Sequence, residues 1–394
     1  MKKRTLLILL CLTAATGASG QYLRLAGDTM HTALYLDAGR IWNYNLYEHS
    51  RWGGGLMLTV HSEHFIFNRV DAEGYLGYGA LDRQWKGGLA LAEHVRNSTL
   101  GSVHYQRAEW DYFPIGSRHI GNPWSGGQLL GGFMARRMTG ERRVTLGHRW
   151  NTDGWRWAVE FTLGMRGKLF DEKSLLYLNQ DTIEFDHVGV LRLLLRHRCG
   201  FAAQYELFGD LKTMRLLVDY RRSIPLSFLK LDLYTQGGVS PRHNEYIDMF
   251  DLGGIYNAPL YLERGFSTIR PNEFTANSFA LLCLRLQSRR PLYSSYSILF
   301  RTGSNPSPFV GLNALWGNMW GQDALGQRPW LDSYLQAPHR GLLEVSLGMD
   351  GIVRWGVVDW GIAIARRITP ASAPYHLPSP RSNVTLLITA KMTE

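Results

Sequence analysis

Apolar and polar residues alternate along much of this chain with a period of two. In "WRWAVEFTLGMRG", Trp155, Trp157, Val159, Phe161, Leu163 and Met165 share one parity, while Arg156, Glu160 and Arg166 take the other. "VLRLLLRHR" sets Leu191, Leu193 and Leu195 against Arg192, Arg196 and Arg198, and "MRLLVDYRR" sets Leu216, Val218 and Tyr220 against Arg215, Asp219 and Arg221. "FLKLDLYTQ" and the last such segment, "NVTLLITAKM", behave alike. Period two is the mark of strands with one apolar and one polar face.

A β-sandwich turns those apolar faces inward, whereas a membrane barrel turns them outward to lipid and keeps a polar interior. Segments of ten residues or more are long enough to cross a bilayer when tilted. Trp, Tyr and Phe recur near the strand ends, at Tyr105, Trp110, Tyr112, Trp150, Trp155, Trp316, Trp320 and Trp355, as aromatic girdles do. The expected fold is therefore all-β, a transmembrane antiparallel β-barrel of about sixteen strands.

Strands are expected over 74–82, 86–95, 102–112, 127–137, 142–150, 155–166, 184–198, 201–208, 213–222 and 228–238. They resume over 276–287, 293–302, 308–317, 341–351, 355–366 and 382–392. The barrel is taken as 73–394, and for 21–72 a plug, an extra strand and a periplasmic lead-in stay open.

Composition refines this picture. The chain of 394 residues opens "MKKRTLLILLCLTAATGASGQ": a basic start, a short apolar run and a small-residue cleavage site. That reads as a signal peptide over 1–20, cleaved before Gln21 and directing export to an outer membrane. Lipoprotein processing at Cys11 is disfavoured, because Leu10 stands where a small residue is expected. Cys199 and Cys283 lie on opposite strand parities, so no disulfide between them is expected. The net charge of +10 could suggest nucleic acid. Without a Lys/Arg cluster interleaved with aromatics, none is expected as partner.

The longest turn-rich segment is "DLGGIYNAPLYLERGFSTIRPNEF", Asp251 to Phe274. It carries the glycine pair Gly253-Gly254, then Arg264-Gly265-Phe266, and alternating segments lie on both sides. With "NSFALLCLRLQ" and "GLLEVSLGMDGIVRWGVVDWGIAIARRI" after it, this arrangement resembles the superfamily of outer-membrane barrel-assembly insertases and two-partner-secretion translocators, the bacterial surface antigen superfamily. A nearer resemblance, in "FNRVDAEGYLGYG" and "IRPNEF", is to a poorly characterised subfamily usually fused behind a carboxypeptidase-regulatory-like domain. The resemblance spans about 65–392 and is to a form without periplasmic POTRA modules. It implies that the loop folds back into the lumen and that the role is non-enzymatic, in outer-membrane protein assembly, export or organisation. Implied partners are the lipid bilayer and periplasmic or outer-membrane assembly proteins or polypeptide substrates. Asn313 stands where the superfamily commonly has an acidic residue.

An in-folded Arg264 needs a carboxylate, since an unpaired buried charge is costly. Lumen parity offers Glu344 first, then Asp350 and Asp359. The alternative is a solvated arginine beside a turn glycine. The lumen-facing basic residues Arg156, Arg192, Arg196, Arg198, Arg215 and Arg221 could form an anion-favouring ring. Balance by Glu160, Asp219, Asp232 and water is the alternative.

No GxSxG, HExxH or phosphate-cradling loop is present, and His61 and His64 flank Glu63 with poor metal geometry for a strand. No catalytic residue, metal or cofactor is expected. Beside the assembly role stand two further readings, a passive pore and a barrel hydrolase acting on lipid.

Overall fold

The computed structural model describes residues 22–28, 31–37, 41–45, 49–61, 69–80, 83, 85–95, 98–111, 138–152, 154–167, 186–208, 214–240, 250–252, 261, 265–269, 274–297, 302–318, 337–355, 358–368 and 384–392. Every regular element among them is a strand. The first part supplies β1 (Tyr22–Gly27), β2 (Thr32–Asp37), β3 (Trp42–Asn45), β4 (His49–His61), β5 (Arg69–Gly79), β6 (Trp85–Val95) and β7 (Ser98–Asp111). The middle supplies β8 (Met138–Thr152), β9 (Trp155–Gly167), β10 (Asp186–His197), β11 (Phe201–Phe208), β12 (Met214–Leu226) and β13 (Leu229–Val239). Then come β14 (Phe250–Asp251), β15 (Thr275–Ala276), β16 (Ser278–Ser288), β17 (Ser295–Ser297), β18 (Thr302–Ser304) and β19 (Ser307–Asn318). The last three are β20 (Leu342–Trp355), β21 (Val358–Arg367) and β22 (Val384–Met392).

These form one antiparallel 20-stranded sheet, plus the small β14–β15 pair. Successive long strands are neighbours, so the order is a meander that begins at β1 and ends at β22. Among the described residues those two strands are not paired with each other. Residues 22–61 run within this sheet as β1 to β4.

Side-chain placement separates barrel from sandwich. Phe161, Leu163, Leu191, Leu193, Leu216, Ile362, Ile364 and Leu386 are all exposed. The opposite parity is buried and polar: Glu160, Gln204, Glu206, Arg215, Asp219, Gln236, Arg285 and Thr389. A soluble sandwich would show the reverse. Apolar outside and polar inside is the distribution of a transmembrane β-barrel. Exposed Trp52, Trp85, Trp157, Trp316, Trp355 and Trp360 add aromatic rings to the outer face.

One expected strand is corrected. Residues 293–302 do not cross the sheet; β17 and β18 fold back on each other, Ser295 opposite Ser304, and β16 pairs directly with β19. "RRPL" explains the break: Pro291 has no N–H for a ladder, and charge precedes it. The expected strand 127–137 and the signal peptide lie outside the described residues.

Candidate functional site: a loop seated on the inner wall

The connection from β13 to β16 begins and ends at the β14–β15 pair, Phe250 opposite Ala276. Between these ends the chain turns inward. Gly265, Phe266, Ser267, Thr268 and Ile269 are all buried. Phe266 and Ile269 join Phe250, Leu252 and Phe274 in one apolar cluster with Leu217, Tyr234, Phe279, Leu281, Cys283, Leu315 and Leu342. The wall therefore contributes from β12, β13, β16, β19 and β20, and the loop lies across all five. Gly265 and Phe266 of the tripeptide are in this seat; Gly253, Gly254 and Arg264 lie outside the described residues.

Glu344 holds the seat. Its side chain is on the inner face of β20 and 0% exposed. The carboxylate accepts the backbone N–H of Ser267 at 3.0 Å and of Thr268 at 2.8 Å, and the Thr268 hydroxyl at 2.6 Å. Asn313, directly opposite on β19, donates from Nδ2 to the same carboxylate at 3.1 Å. That Nδ2 also donates to the Gly265 carbonyl at 2.7 Å. A carboxylate accepting several donors in a water-poor setting is a strong, directional clamp, because charged acceptors make the stronger hydrogen bonds.

A second anchor lies nearer the end of the chain. Tyr261 packs with Phe309, Ala363, Ala365 and Leu387. Its hydroxyl lies 3.1 Å from Ser346 Oγ, and its N–H donates to the Ile388 carbonyl of β22 at 2.9 Å. The Arg285 guanidinium sits 3.8 Å from the Phe309 ring centroid and 5.5 Å from that of Tyr261. Asp350 pairs with Arg285 and accepts from Gln287 Nε2 at 3.1 Å. Gly311 makes room here, since a Cβ would lie 2.3 Å from Ser346 Oγ and 2.7 Å from the Tyr261 hydroxyl.

The three carboxylates expected near Arg264 thus have distinct surroundings. Glu344 grips the loop backbone, Asp350 holds Arg285, and Asp359 takes Arg354 through bonds of 2.6 and 2.9 Å.

The basic residues also divide. Arg192 pairs with Glu160 at 3.3 Å and Glu206 at 2.7 Å, and Arg215 donates from Nε to Glu206 at 2.7 Å. Register makes this a ladder, Glu160 opposite Arg192, Arg192 opposite Glu206, Glu206 opposite Arg215. Gln204 adds a donor to Glu206 at 2.8 Å. Asp232 is held by Lys230 at 3.1 Å. Arg156 and Arg196 face each other on β9 and β10, Arg198 lies in the β10–β11 turn, and Arg221 is exposed.

Sequence reasoning missed Ser267, Thr268, Glu206 and Tyr261. The first two act mainly through backbone N–H groups, which every non-proline residue carries, so no residue type could mark them. Glu206 becomes legible only once hairpin register sets it between Arg192 and Arg215. Cys199 is exposed and Cys283 buried, and no disulfide joins them.

No protein-family model matches the chain, and no curated protein matches it significantly. Among solved structures, it is similar to CdiB from Acinetobacter baumannii, with 10% identity, TM-score 0.41 and coverage of 88% of this chain and 57% of that one. A bacterial polysaccharide outer membrane secretin has 10% identity and TM-score 0.35, covering 92% and 97% of the respective chains. Wzi from Escherichia coli, an outer membrane carbohydrate-binding β-barrel involved in group 1 capsule assembly, has 8% identity and TM-score 0.36, covering 93% and 80%. The fold assignment rests on this chain's own strand pairing and inverted side-chain distribution.

Proposed function

We propose that this chain is an integral outer-membrane β-barrel that works without catalysis in the assembly, export or organisation of outer-membrane components. The observation that carries the reading is the seating of the β13–β16 loop on Glu344. An inner wall that binds its own loop through a carboxylate and an apolar cluster is occupied there rather than left as open channel. The motif residues Gly253, Gly254 and Arg264 belong to this same loop, in keeping with the superfamily resemblance. Periplasmic or outer-membrane assembly proteins, or polypeptide substrates, are the partners that reading implies.

The test combines planar-bilayer conductance with capture. The reconstituted protein is expected to conduct little and to crosslink to unfolded barrel polypeptides or periplasmic assembly proteins. Steady conductance with no captured polypeptide would sink the assembly reading in favour of a passive pore. Arg156, Arg196 and Arg221 favour that second reading and make anion selectivity its signature. Turnover in a lipid-hydrolysis assay would point instead to a barrel hydrolase.

A further inference from the structure

Neighbour relations along the sheet decide how its two ends can meet. β2 lies opposite 56–60 of β4 and β3 opposite 49–52, so together they make one interrupted strand. With β14, β15, β17 and β18 set aside, seventeen successive strands run from β1 to β22 among the described residues. Every successive pair is antiparallel. In an odd antiparallel series the first and last strands point the same way. β1 and β22 are therefore parallel, whereas β22 and the β2–β3 strand are antiparallel. Bacterial single-chain barrels close with an even number of antiparallel strands. Without β1, sixteen remain, and β22 meets β2–β3 in the required sense.

Strand length and position agree. Connections 96–97, 153–154, 198–200, 227–228 and 356–357 are short and share one end, while 112–137, 168–185, 319–341 and 368–383 are long and share the other. β22 finishes at the short-turn end, Met392 opposite Val358, and β2 starts there, Thr32 opposite Val60. β1 instead begins part-way along the wall, Tyr22 opposite Asp37, with β3 still beyond it. A membrane-crossing strand needs about 9–11 residues. β22 has nine and β1 only six.

β1 also buries little. Leu23 to Gly27 are all exposed, and its register slips between Arg24 and Ala26. β22 has two distinct faces, Leu386 and Ile388 exposed, Leu387 and Thr389 buried. Its free edge follows from the ladder. The Ile368 N–H donates to the Leu343 carbonyl at 2.8 Å, and bonded and non-bonded pairs alternate in antiparallel sheets. Carried across β21, this alternation turns Leu387 and Thr389 toward β21 and the Ile388 N–H and carbonyl away from it. The Tyr261 N–H holds that Ile388 carbonyl. Each edge that closure would use is thus covered by the same chain, one by β1 and the other at Tyr261. β3 differs: among the described residues it pairs with β4 alone.

We propose that β1 is a placeholder strand, which covers the closing edge of β2 until β22 starts on the open edge of β3, displaces β1 and closes a sixteen-stranded barrel. Tyr22–Gly27 then leaves the wall at the short-turn end. A hairpin forms before a contact between distant strands, because loop closure costs more with separation. Meanwhile β1 blocks wrong pairing at an exposed edge. In lipid, open edges leave backbone groups unsatisfied, and closure removes that cost. Tyr261 gives the Ile388 carbonyl to the new ladder and keeps its side-chain packing. This inference rests on the membrane-barrel fold and not on the assembly role.

Cysteine pairs are placed in full-length Cys199→Ser protein and oxidised in isolated outer membranes, and links are scored in the heat-shifting fraction. Leu36→Cys on β2 is combined with Leu23→Cys, its partner on β1. It is also combined in turn with Val384→Cys, Leu386→Cys, Ile388→Cys, Ala390→Cys and Met392→Cys on β22. A link from β2 to one β22 position is expected to form about tenfold faster than the link to β1. When Leu23→Cys and Leu36→Cys are joined before insertion, the heat-shifting form is expected to appear only after reduction. Three results overturn the placeholder. One is a link to Leu23→Cys with none to β22. Another is a link between Leu23→Cys and β22, which shows parallel closure with β1 in the wall. The third is a joined variant that inserts and shifts as wild type does. A wild-type protein whose gel mobility does not change on heating overturns the membrane barrel as well.

Discussion

Asn313 and Glu344 stand directly opposite each other on β19 and β20, and the Asn313 amide bonds both the Glu344 carboxylate and the Gly265 carbonyl. One amide nitrogen thus joins the wall to the loop. A neutral donor is what this position requires, because the carboxylate across the ladder already supplies the negative charge. Asn313→Asp would set two buried carboxylates side by side and remove both donations. The expected loss is about 3–5 kcal/mol, the usual scale for an uncompensated buried charge. Urea titration of the detergent-folded protein, read by heat-dependent gel mobility, measures it.

Reversing charge at both Arg264 and Glu344 is expected not to restore stability. Glu344 accepts the N–H groups of Ser267 and Thr268, and an arginine placed there would confront donors with donors. The milder Glu344→Gln should cost about 1.5–3 kcal/mol, since a charged acceptor becomes neutral. Recovery of wild-type stability in the double reversal would show that an Arg264–Glu344 ion pair outweighs the backbone bonds.

Phe266→Ala should empty the centre of the loop's apolar seat at a cost of about 3–5 kcal/mol. The same variant should raise single-channel conductance, because the loop no longer holds its place. A loss of stability with unchanged conductance would mean that the seat supports the wall without obstructing passage.

Gly311→Ala attacks the other anchor. Its Cβ would press on Ser346 Oγ and the Tyr261 hydroxyl, and overpacking of this kind typically costs about 1–3 kcal/mol. Tyr261→Phe removes only the hydroxyl contact and should cost about 1 kcal/mol. In a background of Tyr261→Phe, part of the Gly311→Ala penalty should disappear, which a double-mutant cycle reads directly.

Glu206→Gln should destabilise the β10–β12 part of the sheet by about 3–5 kcal/mol, leaving Arg192 and Arg215 without their shared carboxylate. Arg192→Gln should cost less, because Glu206 retains Arg215 and Gln204. If the order of the two losses were reversed, Glu206 would not be the centre of the ladder.

Strand positions were largely legible, and β11 coincides with the expected 201–208. Alternation works there because each residue has one face to choose, and lipid and lumen demand opposite chemistry. The same rule led to error at 293–302, where Tyr293, Ser295 and Ser297 alternate in a short β17–β18 hairpin that meets the sheet only where Thr302 and Gly303 pair with Trp355 and Arg354 of β20. In the site, parity identified Glu344 as inward-facing, while the in-folded loop that holds Gly265 and Phe266 was implied by the superfamily resemblance. It could not identify what Glu344 grips, because backbone amides have no sequence signature. Asn313 looked like the loss of an acidic partner, yet its amide supplies the donor that a second carboxylate could not.

The Tyr261–Ile388 hydrogen bond has a consequence for the order of biogenesis. A ribosome delivers residue 388 well over a hundred positions after residue 261, so the loop's second anchor cannot form until the final strand has arrived. The Glu344 clamp is likewise out of reach while only the first half of the chain has been made. Seating of the loop therefore records that the C-terminal strands are present and in register.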